Sequence, residues 1–259
     1  MFQKLRKSKK LLLVAMVCAT FAIAGCGSDT SKNTADNSNA VTWSETFDGT
    51  KTDFAVKSSP THAVSMSQAT TEMMLQLGLE DKMAGTAFKE EEIYPPLQAA
   101  YDKVKVLSDK WPSYEVFMSV KPDFATGWPD SFSKRAIPAD KMIAQKVNIW
   151  LPESMLSTKA DLETNFNDMI KLGEIFGVKP KAEEWVAGQR KTLEAIQAKL
   201  KDLPRKRVFI YDSEDGQPFT AFEGYTTNIL KLIGADNVMS GLGVDKTWAK
   251  GSWETVIAQ

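Results

Sequence analysis

One histidine, two cysteines and a balance of 32 basic against 33 acidic residues limit the chemistry open to this 259-residue chain. A serine nucleophile would need His62 as its base. In Pro60-Thr61-His62, directly ahead of an apolar run, that residue reads as a surface or strand-edge histidine. No G-x-x-x-x-G-K-[ST] loop occurs, and Gly241-Leu242-Gly243 leads to Lys246 where a dinucleotide fingerprint needs its third glycine. The acidic runs Glu90-Glu91-Glu92 and Glu183-Glu184 read as polar helix faces kept in water. A lone histidine does not make the several-histidine site that bare Mn²⁺ or Zn²⁺ favours. A metal-ion carrier is therefore the weaker alternative, and a hydrolase fails for want of a nucleophile–base pair. A formal net charge of −1 lacks the basic excess of a nucleic-acid binder. The chain reads as a protein that binds rather than catalyses, with no metal site of its own.

Aromatic side chains are what remains. Trp185 falls in an apolar helical stripe and Trp150 ends a strand before Pro152, so both read as structural. Trp111, Trp128 and Trp248 fall in loops near strand ends or before helices, beside Lys110, Pro129 and Lys250. In open α/β sheets ligands bind at the carboxyl ends of the strands. Rings there supply flat apolar area while neighbouring cations handle charge. Trp111 and Trp128 are expected to line one side of a cleft, with Lys110 and Arg135 able to meet ligand carboxylates. Phe222, Tyr225 and Trp248 are expected to face them from the other side.

The elements that must position these residues are legible as an alternation. Ala63–Met66, Met83–Thr86, Val104–Leu107, Asp123–Gly127 and Val147–Leu151 read as strands. Helices start after Ser67, near Pro95-Pro96, at Ser113 and near Lys134, and Gly78 closes the first of them. Such alternation indicates βαβ units and a mainly parallel sheet. Residues Lys159–Phe176 and Pro180–Leu200 then read as helical, the second with Trp185, Val186, Leu193, Ile196 and Leu200 on one stripe. Arg207–Tyr211 reads as a buried strand that resumes the alternation. The fold class is α/β: a lobe over residues 56–157, a helical bridge over 158–204 and a second lobe over 205–259.

A weak repeat links the lobes. Leu75-Gln76-Leu77-Gly78-Leu79-Glu80-Asp81 is similar to Leu230-Lys231-Leu232-Ile233-Gly234-Ala235-Asp236, and Ser113-Tyr114-Glu115 to Ser252-Trp253-Glu254. A serine N-cap followed by a first-turn glutamate is an ordinary helix start. Its recurrence with an aromatic residue in equivalent places is more than capping requires.

The first residues carry an address. Lys4, Arg6, Lys7, Lys9 and Lys10 precede an uninterrupted apolar and small-residue run from Leu11 to Ala24, the pattern of a secretory signal over residues 1–25. Its end, Ile23-Ala24-Gly25-Cys26, resembles the lipobox of bacterial lipoproteins, which implies cleavage before Cys26 and lipid on its sulfur. No thiol is then left for catalysis. Removing residues 1–25 takes away five basic residues and no acid, so the net charge moves from −1 to −6. Gly27–Ala40 holds almost nothing apolar, and residues 26–55 read as a flexible leash and lead-in. The expectation is an extracytoplasmic, membrane-anchored body.

From Ala63 to Leu79 (AVSMSQATTEMMLQLGL) the chain resembles the opening of the substrate-binding lipoproteins of ABC importers for ferric siderophores, haem and cobalamin. Ser113-Tyr114-Glu115 with Val120-Lys121-Pro122-Asp123-Phe124 is similar to the family's most specific segment, and Ser252-Trp253-Glu254 to its second-lobe counterpart. The resemblance implies two Rossmann-like lobes joined by a long rigid helix, with a chelated metal complex, a ferric siderophore foremost, held between them. It implies docking carboxylates at Glu115 and Glu254 that engage a two-fold permease driven by a cytoplasmic ATPase. It places pocket aromatics at Trp111 and Trp128. The second lobe, from Arg205 to Gln259, is little more than half as long as the first, from Thr61 to Ser157. Members of the family have lobes of comparable size, so the second is expected to be incomplete at its C-terminal side.

Overall fold

The computed structural model describes residues 40–259; the expected signal peptide, Cys26 and the leash as far as residue 39 lie outside the described residues. The first elements are strands β1 (Val41–Phe47) and β2 (Thr50–Val56), paired antiparallel from Val41↔Val56 to Phe47↔Thr50. Asp48 and Gly49 turn the hairpin with φ of 47° and 78°, the left-handed pair that a two-residue hairpin requires. Part of the stretch expected as a lead-in is thus regular structure. Its cause is the alternation Trp43, Glu45, Phe47, which puts one face onto the first lobe. Trp43 stacks on Phe54 at 5.7 Å, and its indole N–H donates to the Ile149 carbonyl at 2.7 Å.

The first lobe holds five parallel strands: β3 (Ala63–Ser65), β4 (Met83–Ala87), β5 (Val106–Ser108), β6 (Phe124–Thr126) and β7 (Asn148–Trp150), in the order β5-β4-β3-β6-β7. All five fall where the apolar runs place them. Alternate residues face opposite sides. Ala63 and Phe124 join one apolar cluster, and Val64 and Ala125 the other. Helices α1 (Gln68–Gln76), α2 (Gln98–Tyr101), α3 (Tyr114–Ser119) and α4 (Ala139–Ala144) connect the strands. The last was expected near Lys134 but begins after Pro138. The residue before a proline is driven out of the α region, so Ile137 cannot be helical and the helix waits for the ring. Asp123 of the Pro-Asp segment accepts from the Thr61 N–H at 2.8 Å and the His62 N–H at 3.0 Å, tying down the entry to β3.

The bridge is two helices, α5 (Leu162–Ile175) and α6 (Lys179–Leu200). Gly177, at φ 71°, makes the turn, and Phe166 meets Trp185 edge-on at 6.2 Å. A Cβ on Gly173 would come within 2.7 Å of the Ala182 Cβ, so glycine there permits close antiparallel packing. The early part of α6 buries Ala182 and Val186, whereas Ile196 is 39% exposed. The expected stripe is therefore buried only in its first half.

In the second lobe β8 (Lys206–Val208) pairs parallel with β11 (Ala235–Asn237), beside antiparallel strands β9 (Tyr211–Glu214), β10 (Pro218–Ala221) and β12 (Trp248–Lys250) in the order β12-β10-β9. Helices α7 (Tyr225–Leu232) and α8 (Trp253–Ala258) complete it. The buried strand expected over Arg207–Tyr211 is instead divided between β8 and β9, and Tyr211 is 52% exposed. The reason is local: β8 has a strand on one side only, and β9 buries none of its residues. No helix of the described residues is long and apolar enough to cross a membrane.

Candidate functional site

The strand order reverses between β3 and β6, and the crevice outside that switch point is the natural ligand position of an open parallel sheet. Met66, just past β3, organises it. Its carbonyl accepts from the Trp111 indole N–H at 3.1 Å and from the Ser131 hydroxyl at 3.2 Å. A Cβ on Gly127 would sit 3.0 Å from both the Met66 Cβ and Ser131 Oγ, so glycine lets the two loops touch. Trp111 also stacks on Phe88 at 4.6 Å with planes 20° apart. Phe88 holds φ at 60°, an uncommon conformation for a bulky residue, and its carbonyl accepts the first amide of α1 from Gln68 at 3.1 Å. The Gln68 side-chain oxygen accepts from the Glu90 and Glu91 amides at 2.9 and 2.7 Å, strapping that loop to the helix.

A cavity of about 910 Å³ opens above this floor, with walls from both lobes. Five of the seven residues expected to bind ligand line it: Trp111, Trp128, Arg135, Tyr225 and Trp248. Two do not. Lys110 is not a lining residue; it is exposed, with its Nζ 5.9 Å from the centroid of the lining Phe88 ring. Phe222 is 3% exposed and packs beside Gly251 inside its own lobe. Two details also differ from the sequence reading. Trp248 opens strand β12 rather than sitting in a loop, where it stacks on Phe219 at 6.1 Å. Arg135 lines the cavity with its guanidinium paired to Asp130.

Sequence reasoning missed Phe88, Glu90, Asp212, Phe219 and Glu223 on these walls. Glu90 is in a loop, not on a helix, and accepts the Trp128 indole N–H at 3.2 Å. Phe88 follows the C-terminal end of β4, the same signal that marked the tryptophans.

The back of the cleft is where the lobes meet. Gly224, at φ 86°, has the Ser157 carbonyl 3.0 Å from its would-be Cβ, and the Asn228 amide donates to the Ala160 carbonyl at 2.8 Å. Asp168, 5% exposed, accepts from the Glu153 and Ser154 amides at 2.9 and 2.8 Å and so fixes the turn that carries Ser154 and Met155 into the cavity. Burial pushes the Asp168 carboxyl up, and burial with the Asp168 charge raises the Tyr225 phenol. Glu45, 8% exposed, accepts from the Leu151 amide at 3.0 Å; burial holds it raised to about 7.

The helix starts at Ser113 and Ser252 are alike in detail. The Ser113 hydroxyl accepts from the Val116 amide at 3.3 Å, and that of Ser252 from the Thr255 amide at 3.1 Å. Glu115 and Glu254 are both exposed beside these caps. The Glu115 carboxyl is held below the usual range by its own backbone amide and the Ser113 hydroxyl.

Residues 64–259 match the family model described as periplasmic binding protein. The chain belongs to the periplasmic binding protein family. It is similar to a solved periplasmic binding protein from Veillonella parvula at 96% identity and a TM-score of 0.82, over 85% of this chain and 74% of that one. An ABC transporter substrate-binding lipoprotein of Bacillus subtilis is 25% identical over 97% of this chain and 78% of its own length. A structure named as an ABC-type Fe³⁺-hydroxamate transport system of Saccharomonospora viridis shares the fold at a TM-score of 0.64 and 19% identity, over 83% of this chain and 76% of that one. This periplasmic binding protein is a transport protein, not an enzyme. Among its described residues no group of three or more His, Cys, Asp or Glu is placed to hold a metal ion.

Proposed function

We propose that this periplasmic binding protein is a lipid-anchored, extracytoplasmic component of an ABC importer that captures a chelated metal complex, a ferric siderophore foremost, between its lobes. The observation that carries the reading is the 910 Å³ cavity walled by Phe88, Trp111, Trp128, Tyr225, Phe219 and Trp248. Its size suits a drug-sized or larger chelate, and flat rings match the faces of such a complex. The Fe³⁺-hydroxamate system that shares the fold supports the ligand class. Cys26 is the lipidation site, as the lipobox pattern and the lipoprotein relative support. The domain plan is a signal peptide over 1–25, a tether beginning at Cys26, and two lobes joined through 158–204.

Delivery rests on Glu115 and Glu254. One exposed carboxylate on each lobe can engage two cationic pockets of a two-fold permease, with arginine the natural partner because its planar fork grips a carboxylate through two hydrogen bonds. The test is tryptophan fluorescence titration of the protein with ferric siderophores, haemin and cobalamin. Saturable quenching by at least one is expected; quenching by none removes the substrate class.

A further inference from the structure

The walls of the cleft are charged in one sense. Glu90, Asp130, Asp212 and Glu223 line it, against Arg135 alone. Arg135 is neutralised by Asp130 across the same wall. Among the described residues no ion pair engages Glu90, Asp212 or Glu223. Glu90 accepts only the neutral indole N–H of Trp128, and Glu223 accepts from the Ser240 hydroxyl and the Gly241 amide at 2.7 Å. No lysine lines the cavity; Lys110 holds its Nζ 5.9 Å from the centroid of the lining Phe88 ring.

In the open cleft these carboxylates are hydrated. A ligand that fills the cavity strips that water, and a carboxylate so desolvated needs a positive partner. An anionic ligand would add repulsion in a medium less polarisable than water. Rings favour the same sign, since the faces of indole and phenyl groups attract cations. Resting on the reading of this cleft as the ligand site, we infer that it selects a chelate of net positive charge. A ferric trishydroxamate bearing a protonated amine is the class that fits. A tricatecholate, with its three negative charges, and a porphyrin with two carboxylates are disfavoured.

The experiment uses ferrioxamine B as the cationic probe, ferrichrome as the neutral one, and ferric enterobactin and haemin as the anionic ones. Each is titrated into the wild-type protein and into the Glu90→Gln, Asp212→Asn double variant, which keeps both side-chain shapes. Ferrioxamine B is expected to bind tightest. The double variant is expected to weaken it by about tenfold while changing ferrichrome by less than about twofold. The melting curve of the double variant, recorded beside the titrations, reports its fold independently of affinity. If another probe binds tightest, or if the variant leaves ferrioxamine B unchanged or weakens both probes alike, the charge inference is overturned and the chelate reading stands. If no probe binds, the chelate reading itself fails and takes this inference with it.

Discussion

Phe124 and Asn237 sit at the centres of the two lobes, and what surrounds them differs in kind. Phe124 is fully buried, edge-on to Phe176 at 5.1 Å and to Trp43 at 6.4 Å, within a cluster of aliphatic and aromatic side chains. Asn237 is buried among backbone groups. Its amide donates to the Ala221 carbonyl at 2.8 Å and to the Thr227 hydroxyl at 2.7 Å, while its oxygen accepts from the Met239 amide at 3.0 Å. Among the described residues every member of the two apolar clusters precedes Ala187. The second lobe leaves Leu203, Tyr211 and Ile257 at 60, 52 and 83% exposure. One lobe is held by apolar burial on both faces of a sheet; the other combines the hydrogen bonds of Asn237 with the smaller buried group Ala221, Phe222, Ala235 and Met239. The two walls of the cleft therefore rest on supports of different kinds.

The largest test of that contrast is Phe124→Ala. Removing a fully buried ring should cost about 3–5 kcal/mol in urea denaturation and destabilise the whole first lobe. A loss below about 1 kcal/mol would mean that the sheet does not depend on this cluster.

Glu45 sharpens the contrast in the opposite direction, because it is a carboxylate inside the apolar lobe. Its folded-state value of about 7 lies above the ordinary 4.5. Between those limits the unfolded chain gives up a proton that the folded chain keeps, so stability falls as pH rises through this window. Asp168, also raised by burial, acts in the same direction. Glu45→Gln should therefore be more stable than wild type by about 1–3 kcal/mol at pH 8 and equal to it near pH 4. Melting curves across that range check it, and parallel profiles for the two proteins would refute it.

Asn237→Ala takes the donor from the Ala221 carbonyl and the acceptor from the Met239 amide in the second lobe. The expected cost is about 2–3 kcal/mol, confined to that lobe. Hydrogen exchange should accelerate in β10 and α7 while β3 and β6 keep their protection; uniform acceleration would show that the lobes unfold as one unit.

Smallest of all for stability is the pair Glu115→Ala and Glu254→Ala. Both side chains are exposed, so melting temperature and chelate affinity should be unchanged, whereas uptake by membranes carrying the importer should be lost. Normal uptake would leave the two glutamates as helix-start residues and nothing more.

The same contrast explains what was legible. In the first lobe each strand is a short apolar run with a turn or a capped helix beyond it, so local pattern and final packing agree. Ser67, Gly78 and Ser113 fall at helix ends as their chemistry requires. In the second lobe, Arg207–Tyr211 is an apolar run like those of the first, yet it is split between strands of two separate sheets, and burial cannot be read from one strand's own residues. The hairpin over Val41–Val56 was legible in principle, since Trp43, Glu45 and Phe47 alternate ahead of Asp48-Gly49. Its polar residues drew it into the leash instead. Among the site residues, Trp111, Trp128 and Tyr225 follow from their places at element ends. Glu90 and Asp212 do not, because their role comes from a cleft formed only when two distant segments meet. Lys110 misses the cleft by one position, its neighbour Trp111 having turned inward to reach the Met66 carbonyl.

The central claim is that ligand is held from both sides. Calorimetric titration of wild type, Trp128→Ala and Trp248→Ala with the chelate that binds tests it most directly, since one ring belongs to each lobe. Both variants should fold and lose about 1–3 kcal/mol of affinity. Unchanged affinity in either, with its fold intact, would contradict capture between the lobes.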